Sequence, residues 1–239
     1  MKKYTLVELV ICVICIVLLG TVAVSAVRAA ADVKGEDAVC ADQQRNIYAA
    51  VSAYAADNGG FYPYFDDEFS IPGCKTRVTW AYKISKYLPQ ESGNRNYFCP
   101  AQQKSYPENS RSNLNSATNC VVRPDRSLEF YRSINYGINF EYIASNIGAW
   151  AGKERKAYIT MNTAKVVDPA AKVLISDAWN GKEGRYVIAS YSSGSNKMNP
   201  CHSNAANVLW CDGHVSLVKD PHTTLQNGKL VRQHFRVDR

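Results

Sequence analysis

Residues 9–27, LVICVICIVLLGTVAVSAV, contain no charged side chain, and this run constrains the chain more than any other feature. As a helix it rises ~28 Å, close to the thickness of a bilayer's hydrocarbon core. Lys2, Lys3 and the α-amino group precede it, whereas Arg28, Asp32, Lys34, Glu36 and Asp37 behind it nearly cancel. That charge asymmetry predicts a single pass with the N-terminus in the cytoplasm and the remaining chain outside. A cleaved secretory signal is the rival reading, because Val24-Ser25-Ala26 and the alanines after Arg28 supply small residues for a cleavage site.

The helix is expected to continue beyond the apolar run. No proline falls between residues 4 and 57, and alanine is abundant from Arg28 to Ala56. Ile47, Val51, Tyr54 and Ala55 share one helical face, with the polar residues Gln43 to Asn46 in the turn before. Asp57-Asn58-Gly59-Gly60 followed by Pro63 is a strong stop. These signals predict one helix of about 50 residues, ~75–80 Å long, apolar in its first half and amphipathic in its second. The chain divides into a basic leader (1–3), a membrane-spanning helix (4–30) and a globular head (31–239).

In the head, Trp80, Ile84, Tyr87 and Leu88 read as a short helix ending at Pro89, and residues 91–126 as a long irregular stretch. Lys172–Asp177 reads as a buried strand and Arg185–Tyr191 as a weak one. Ala206–Cys211 and His214–Val218 read as a hairpin closed by a two-residue Asp212-Gly213 turn. Leu230–Phe235 is expected to add a last strand. The class is α+β: a long helix laid on a small antiparallel sheet, with long disulfide-braced loops.

Cys12 and Cys15 fall inside the apolar run, which leaves Cys40, Cys74, Cys99, Cys120, Cys201 and Cys211. None of these six sits in a CxxC pair, which disfavours structural zinc. An even, dispersed set fits disulfides in an oxidising compartment. Cys99–Cys120 is the preferred pair, since it would brace the irregular stretch.

The formal net charge of +7 is spread without a dense basic run, so nucleic acid is not an expected partner. There is no GxSxG, HExxH, P-loop or dinucleotide fingerprint, so neither catalysis nor a cofactor is expected. Imidazole and carboxylate at His202, Asp212, His214 and Asp177 are capable of holding a divalent cation. The favoured reading is structural: Asp212 serves the turn, and His202 bonds a backbone carbonyl or Asp212, locking the loop to the hairpin.

Tyr4-Thr5-Leu6-Val7-Glu8-Leu9-Val10, behind two lysines and ahead of the apolar run, resembles the start of type IV pilins and type II secretion pseudopilins. The resemblance implies cleavage by a prepilin peptidase between Lys3 and Tyr4, N-methylation of Tyr4, and pairing of Glu8 with the terminal amine of a neighbouring copy. This chain has Lys3 where the family carries glycine. His202 followed by nine residues and Asp212-Gly213 is similar to the H-X9-DG signature of a large group of pilin-like proteins (DUF1559-like). Cys40 with Gln43 and Asn46, Tyr54 to Pro63, Phe98-Cys99-Pro100, Asn135 to Asn139, and Pro169 to Asp177 fit the same group.

The implied protein is a subunit of a pilus-like or secretion pseudopilus filament. It would be held in the inner membrane before assembly, with its head periplasmic and then at the cell surface. Its partners would be copies of itself or related subunits, the peptidase and an assembly platform. The alternative is an anchored surface module that binds polysaccharide, an envelope protein or a cation without polymerising. Cys201 and Cys211 depart from the residues usual in the group, and their spacing around one loop-and-strand suggests that they bond each other. Separate bonds to Cys40 and Cys74 are the rival pairing.

Overall fold

The computed structural model describes residues 35–71, 74–89, 93–105, 121–122, 128–130, 134–144, 160–181, 184–189, 196–226 and 231–235. The expectations for the leader, Lys3, Tyr4, Glu8, the 4–30 span and Cys120 lie outside these residues. Among the described residues, no helix is long and apolar enough to cross a membrane.

Helix α1 covers residues 35–57. It ends where Gly59 and Gly60 turn left-handed and the Gly60 amide donates to the Ala55 carbonyl at 2.7 Å, which satisfies an end the helix cannot cap itself. Cys40, Gln44, Ile47 and Val51 recur at helical spacing and are fully buried. Ile47 and Val51 each contribute about 1.5–3 kcal/mol by leaving water.

The strands form two sheets. One holds β1 (Asp66–Ile71), β2 (Cys74–Thr79), β3 (Val121–Val122) and β4 (Leu128–Phe130) in the order β1-β2-β4-β3. Helix α2 (Trp80–Ile84) follows β2 directly and runs into a 3-10 turn, as expected, before Pro89. The other sheet holds β5 (Tyr136–Asn139), β6 (Val173–Trp179), β7 (Val187–Ile188), β9 (Ala205–Trp210) and β10 (Val215–Lys219) in the order β10-β9-β6-β5-β7. A short β8 (Lys197–Met198) adds to β6. The architecture is α+β, but the sheets are mixed: β5 and β7 run parallel, as do β2 and β4.

The second sheet is covered on both faces. Leu209 and Ile175 join α1, Trp80, Tyr97 and Tyr136 in the larger core. Val208 and Val173 face a smaller core with Met198, Leu225 and Phe235. This explains why Ala205–Trp210 and Val173–Ala178 are buried throughout rather than alternating.

Three local expectations need correction. Leu230–Phe235 is not a strand; Val231–His234 forms a helical turn. Side chains take carbonyls in it and just beyond it: Lys172 Nζ donates to Gln233 O at 2.6 Å and Asn139 Nδ2 to Phe235 O at 3.1 Å. The β9–β10 loop is not two residues long. Trp210 N donates to His214 O and Gly213 N to Trp210 O, which leaves Cys211, Asp212 and left-handed Gly213 in the loop. The stretch from 91 is not wholly irregular, since Gly93–Tyr97 forms 3-10 turns and helix α3 spans Pro100–Ser105.

Candidate functional site

Helix α1 and strand β9 run in the same direction and are joined along their length. Near the start of α1, His202 Nδ1 lies 2.5 Å from Asp37 Oδ1. In the middle, Gln44 Nε2 donates to Asn207 O at 3.2 Å. Further on, Tyr48 stands over the β9–β10 loop, its hydroxyl 3.5 Å from Cys211 O. Gly213 has φ +96°, and a Cβ there would collide with the Tyr48 ring. The glycine is therefore required twice, by its backbone conformation and by the ring above it. The His202 and Asp-Gly elements thus sit at opposite ends of one strand and grip one helix at two points.

Local geometry aims His202. Ser203 and Asn204 both have positive φ, and His202 and Ala205 exchange backbone hydrogen bonds of 3.0 and 3.1 Å across them. That tight turn directs the imidazole inward, where its side chain is fully buried. On its inner side, Nε2 lies 3.3 Å from Asp177 Oδ2 of β6, 3.3 Å from Cys99 Sγ and 3.1 Å from the Asn207 side-chain amide. The Asn207 backbone N–H donates to the same Asp177 oxygen at 2.7 Å.

Burial alone would pull the His202 pKa down. Hydrogen bonds with Asp177, Cys40 and Cys99, together with the Asp177 charge, outweigh it and hold the imidazole well above its ordinary value. The raised value favours a charged ring between two carboxylates, with Nδ1 against Asp37 and Nε2 at ion-pair distance from Asp177.

Three cysteines crowd against this ring. Cys40 projects from α1, and Cys99 precedes Pro100, which opens α3. Their sulfurs are 2.9 Å apart. Cys201 Sγ lies 3.7 Å from Cys99 Sγ. All three pKa values are raised. A hydrogen bond with Cys99 and then burial lift Cys40. Burial lifts Cys99. The bond from Cys99 lowers Cys201, but burial and the Asp177 charge push it up to about 11. These sulfurs are therefore neutral near pH 7 and poor nucleophiles.

Cys99, Asp177, Cys201 and His202 offer ligand atoms all within 4.8 Å of one another, close enough to share a metal ion. Of the four metal candidates read from the sequence, this group takes His202 and Asp177. Asp212 and His214 instead pair with each other on the exposed loop, Nδ1 to Oδ1 at 2.6 Å. The His202 ring meets Asp37, Asp177, Cys99 and Asn207 rather than the backbone carbonyl or Asp212 expected of it.

The Cys201–Cys211 pairing is also corrected. The two cysteines flank opposite ends of β9. A six-residue strand spans ~20 Å, several times the reach of a disulfide. Cys211 lies instead by Tyr62, its thiol pushed up to about 12 by burial. Cys74 falls in β2.

Sequence reading missed Asp37, which looked like one more charge beyond the apolar run. It also missed the inward role of Gln43, Gln44 and Asn46. Gln43 Nε2 donates to Arg95 O at 3.0 Å and its Oε1 accepts from the Tyr136 hydroxyl at 2.6 Å. Asn46 Nδ2 donates to Asn96 Oδ1 at 3.1 Å. The available signal was register: Gln44 falls on the same helical face as Cys40, Ile47 and Val51.

A separate cleft of about 500 Å³ lies beside the end of α1, lined among others by Ser52, Ala56, Tyr62, Thr163, Pro169 and Asp212. No protein-family model, curated protein or solved structure matches the chain.

Proposed function

We propose that the chain is a structural subunit of a type IV pilus-like or type II secretion pseudopilus filament, without catalytic activity. It is anchored in the inner membrane by residues 4–30 before assembly, with its head outside the cytoplasm. In the filament, apolar helix packing supplies cohesion. Glu8 sets axial register by pairing with a neighbour's N-terminal amine, so that two charges costly to bury singly are buried together.

The fastening of α1 carries this reading. A tether that only holds a head near a membrane gains nothing from being locked at Asp37, Gln44 and Tyr48. A subunit whose head must follow its filament helix does gain from it. The Tyr4–Glu8 motif ahead of a charge-free run supports the same reading from sequence.

Replacing Glu8 by Ala is expected to leave membrane insertion intact and stop assembly. Normal filaments from that variant would remove the register role. The cleft beside α1 favours the second reading, an anchored surface-binding module that does not polymerise. Mass spectrometry of the native N-terminus separates the two: a methylated Tyr4 supports the filament subunit, and an intact Met1 supports the anchored module.

A further inference from the structure

We infer that Cys40 and Cys99 are the two halves of a disulfide that joins helix α1 covalently to the head. The inference deepens the filament reading and rests on it for the oxidising compartment.

The sulfurs of Cys40 and Cys99 are 2.9 Å apart, and both residues are fully buried. Their separation is less than the ~3.5–4 Å at which even carbon atoms rest in contact. It is also less than the ~3.8 Å edge that two thiolates make on a tetrahedral zinc with bonds of ~2.3 Å. A bond of about 2.0 Å needs a closing movement of under ~1 Å. Cys40 is not one of the four residues, Cys99, Asp177, Cys201 and His202, whose ligand atoms are close enough to share a metal.

The chemistry needs an external disulfide as oxidant. A Cys40 thiolate attacks it, forming a mixed disulfide and expelling one external thiolate. The Cys99 thiolate then attacks the Cys40 sulfur and expels the second. Two protein thiols lose two electrons and two protons, and one external disulfide becomes two thiols. Because both sulfurs are buried in the finished head, the exchange occurs during folding.

The bond would sit between the Asp37–His202 contact and the Gln44–Asn207 contact. It links positions 59 apart, so it restricts the unfolded chain considerably. Tension between filament helix and head would then pass through a covalent bond. Cys201, 3.7 Å from Cys99, remains a thiol.

The test uses the full-length chain in detergent, isolated in two ways. One sample comes from the envelope of producing cells with thiols trapped at lysis. The other is reduced, unfolded and refolded with glutathione disulfide and a zinc salt present. Non-reducing peptide mapping of the refolded sample is expected to recover a Cys40–Cys99 linked peptide, unchanged in the Cys201→Ser variant. The Cys40→Ser, Cys99→Ser double variant is expected to melt about 10 °C lower than the oxidised protein. Linkage of Cys99 to Cys120 or Cys201, free sulfurs at 40 and 99, or retained zinc with protected thiols in the refolded sample would overturn the inference. A Cys40–Cys99 link that forms on refolding, with only free thiols in the envelope sample, would uphold the pair and count against the compartment assigned by the filament reading.

Discussion

His202 Nδ1 lies 2.5 Å from Asp37 Oδ1, across 165 positions of sequence. With Asp177 on its other side, the imidazole ties α1, the turn before β9 and the central strand β6 into one unit. The unit is made of charges, so its strength depends on all three partners being present.

Replacing His202 by Asn should therefore be expensive. It leaves the buried Asp177 carboxylate without its cation, and removing one partner of a buried ion pair costs about 3–5 kcal/mol. For a chain of this size that lowers Tm by roughly 10 °C, read by thermal unfolding of the full-length protein in detergent. A change under ~2 °C would mean that the ring contributes no net stabilisation.

The same contact predicts a pH dependence. The folded-state pKa of His202 is raised, so the folded state binds its proton more tightly than the unfolded state. Its contribution is fully present below the unfolded value of ~6.5 and declines as pH climbs above that toward the raised value. The Tm gap between wild type and the His202→Asn variant should be widest near pH 6 and narrow toward pH 9. A gap that widens with alkalinity would contradict the assignment of a charged ring.

Asp177→Asn separates charge from shape. The amide oxygen still accepts from the Asn207 N–H, but the negative charge facing Nε2 is gone. The His202 pKa should fall, measured by NMR titration of the ring resonances. An unchanged titration would show that Asp37 alone holds the proton.

At the other end of β9, Gly213→Ala forces a side chain into a left-handed conformation and against the Tyr48 ring. The first effect costs about 1–2 kcal/mol and the second about 1–3 kcal/mol. In a Tyr48→Ala background only the first should remain. A double-mutant cycle by denaturant unfolding should therefore give a coupling above ~1 kcal/mol. Additive losses would show that the ring and loop do not meet in solution.

Much of the scaffold was legible locally. The face of Ile47, Val51 and Ala55, the stop at Gly59-Gly60, the buried strand at Val173, and the Asp-Gly hairpin follow from periodicity and turn chemistry within a few residues. Their physics is short-range, and the sequence displays it directly. His202 and Asp177 were recognisable as candidates because imidazole and carboxylate can hold a cation, but so were Asp212 and His214, which pair with each other elsewhere.

The partners themselves were not legible. Asp37 meets His202, Cys40 meets Cys99, and Gln44 meets Asn207 only because α1 lies parallel to β9, an arrangement no local pattern encodes. For the same reason Cys201 and Cys211, close in sequence, are held apart by the extended strand between them. Residue order determined which segments become helix or strand and supplied the reactive groups. Packing of α1 onto a sheet buried on both faces decided which groups touch, because burying apolar surface is non-directional and leaves the choice of neighbours to the tertiary fit.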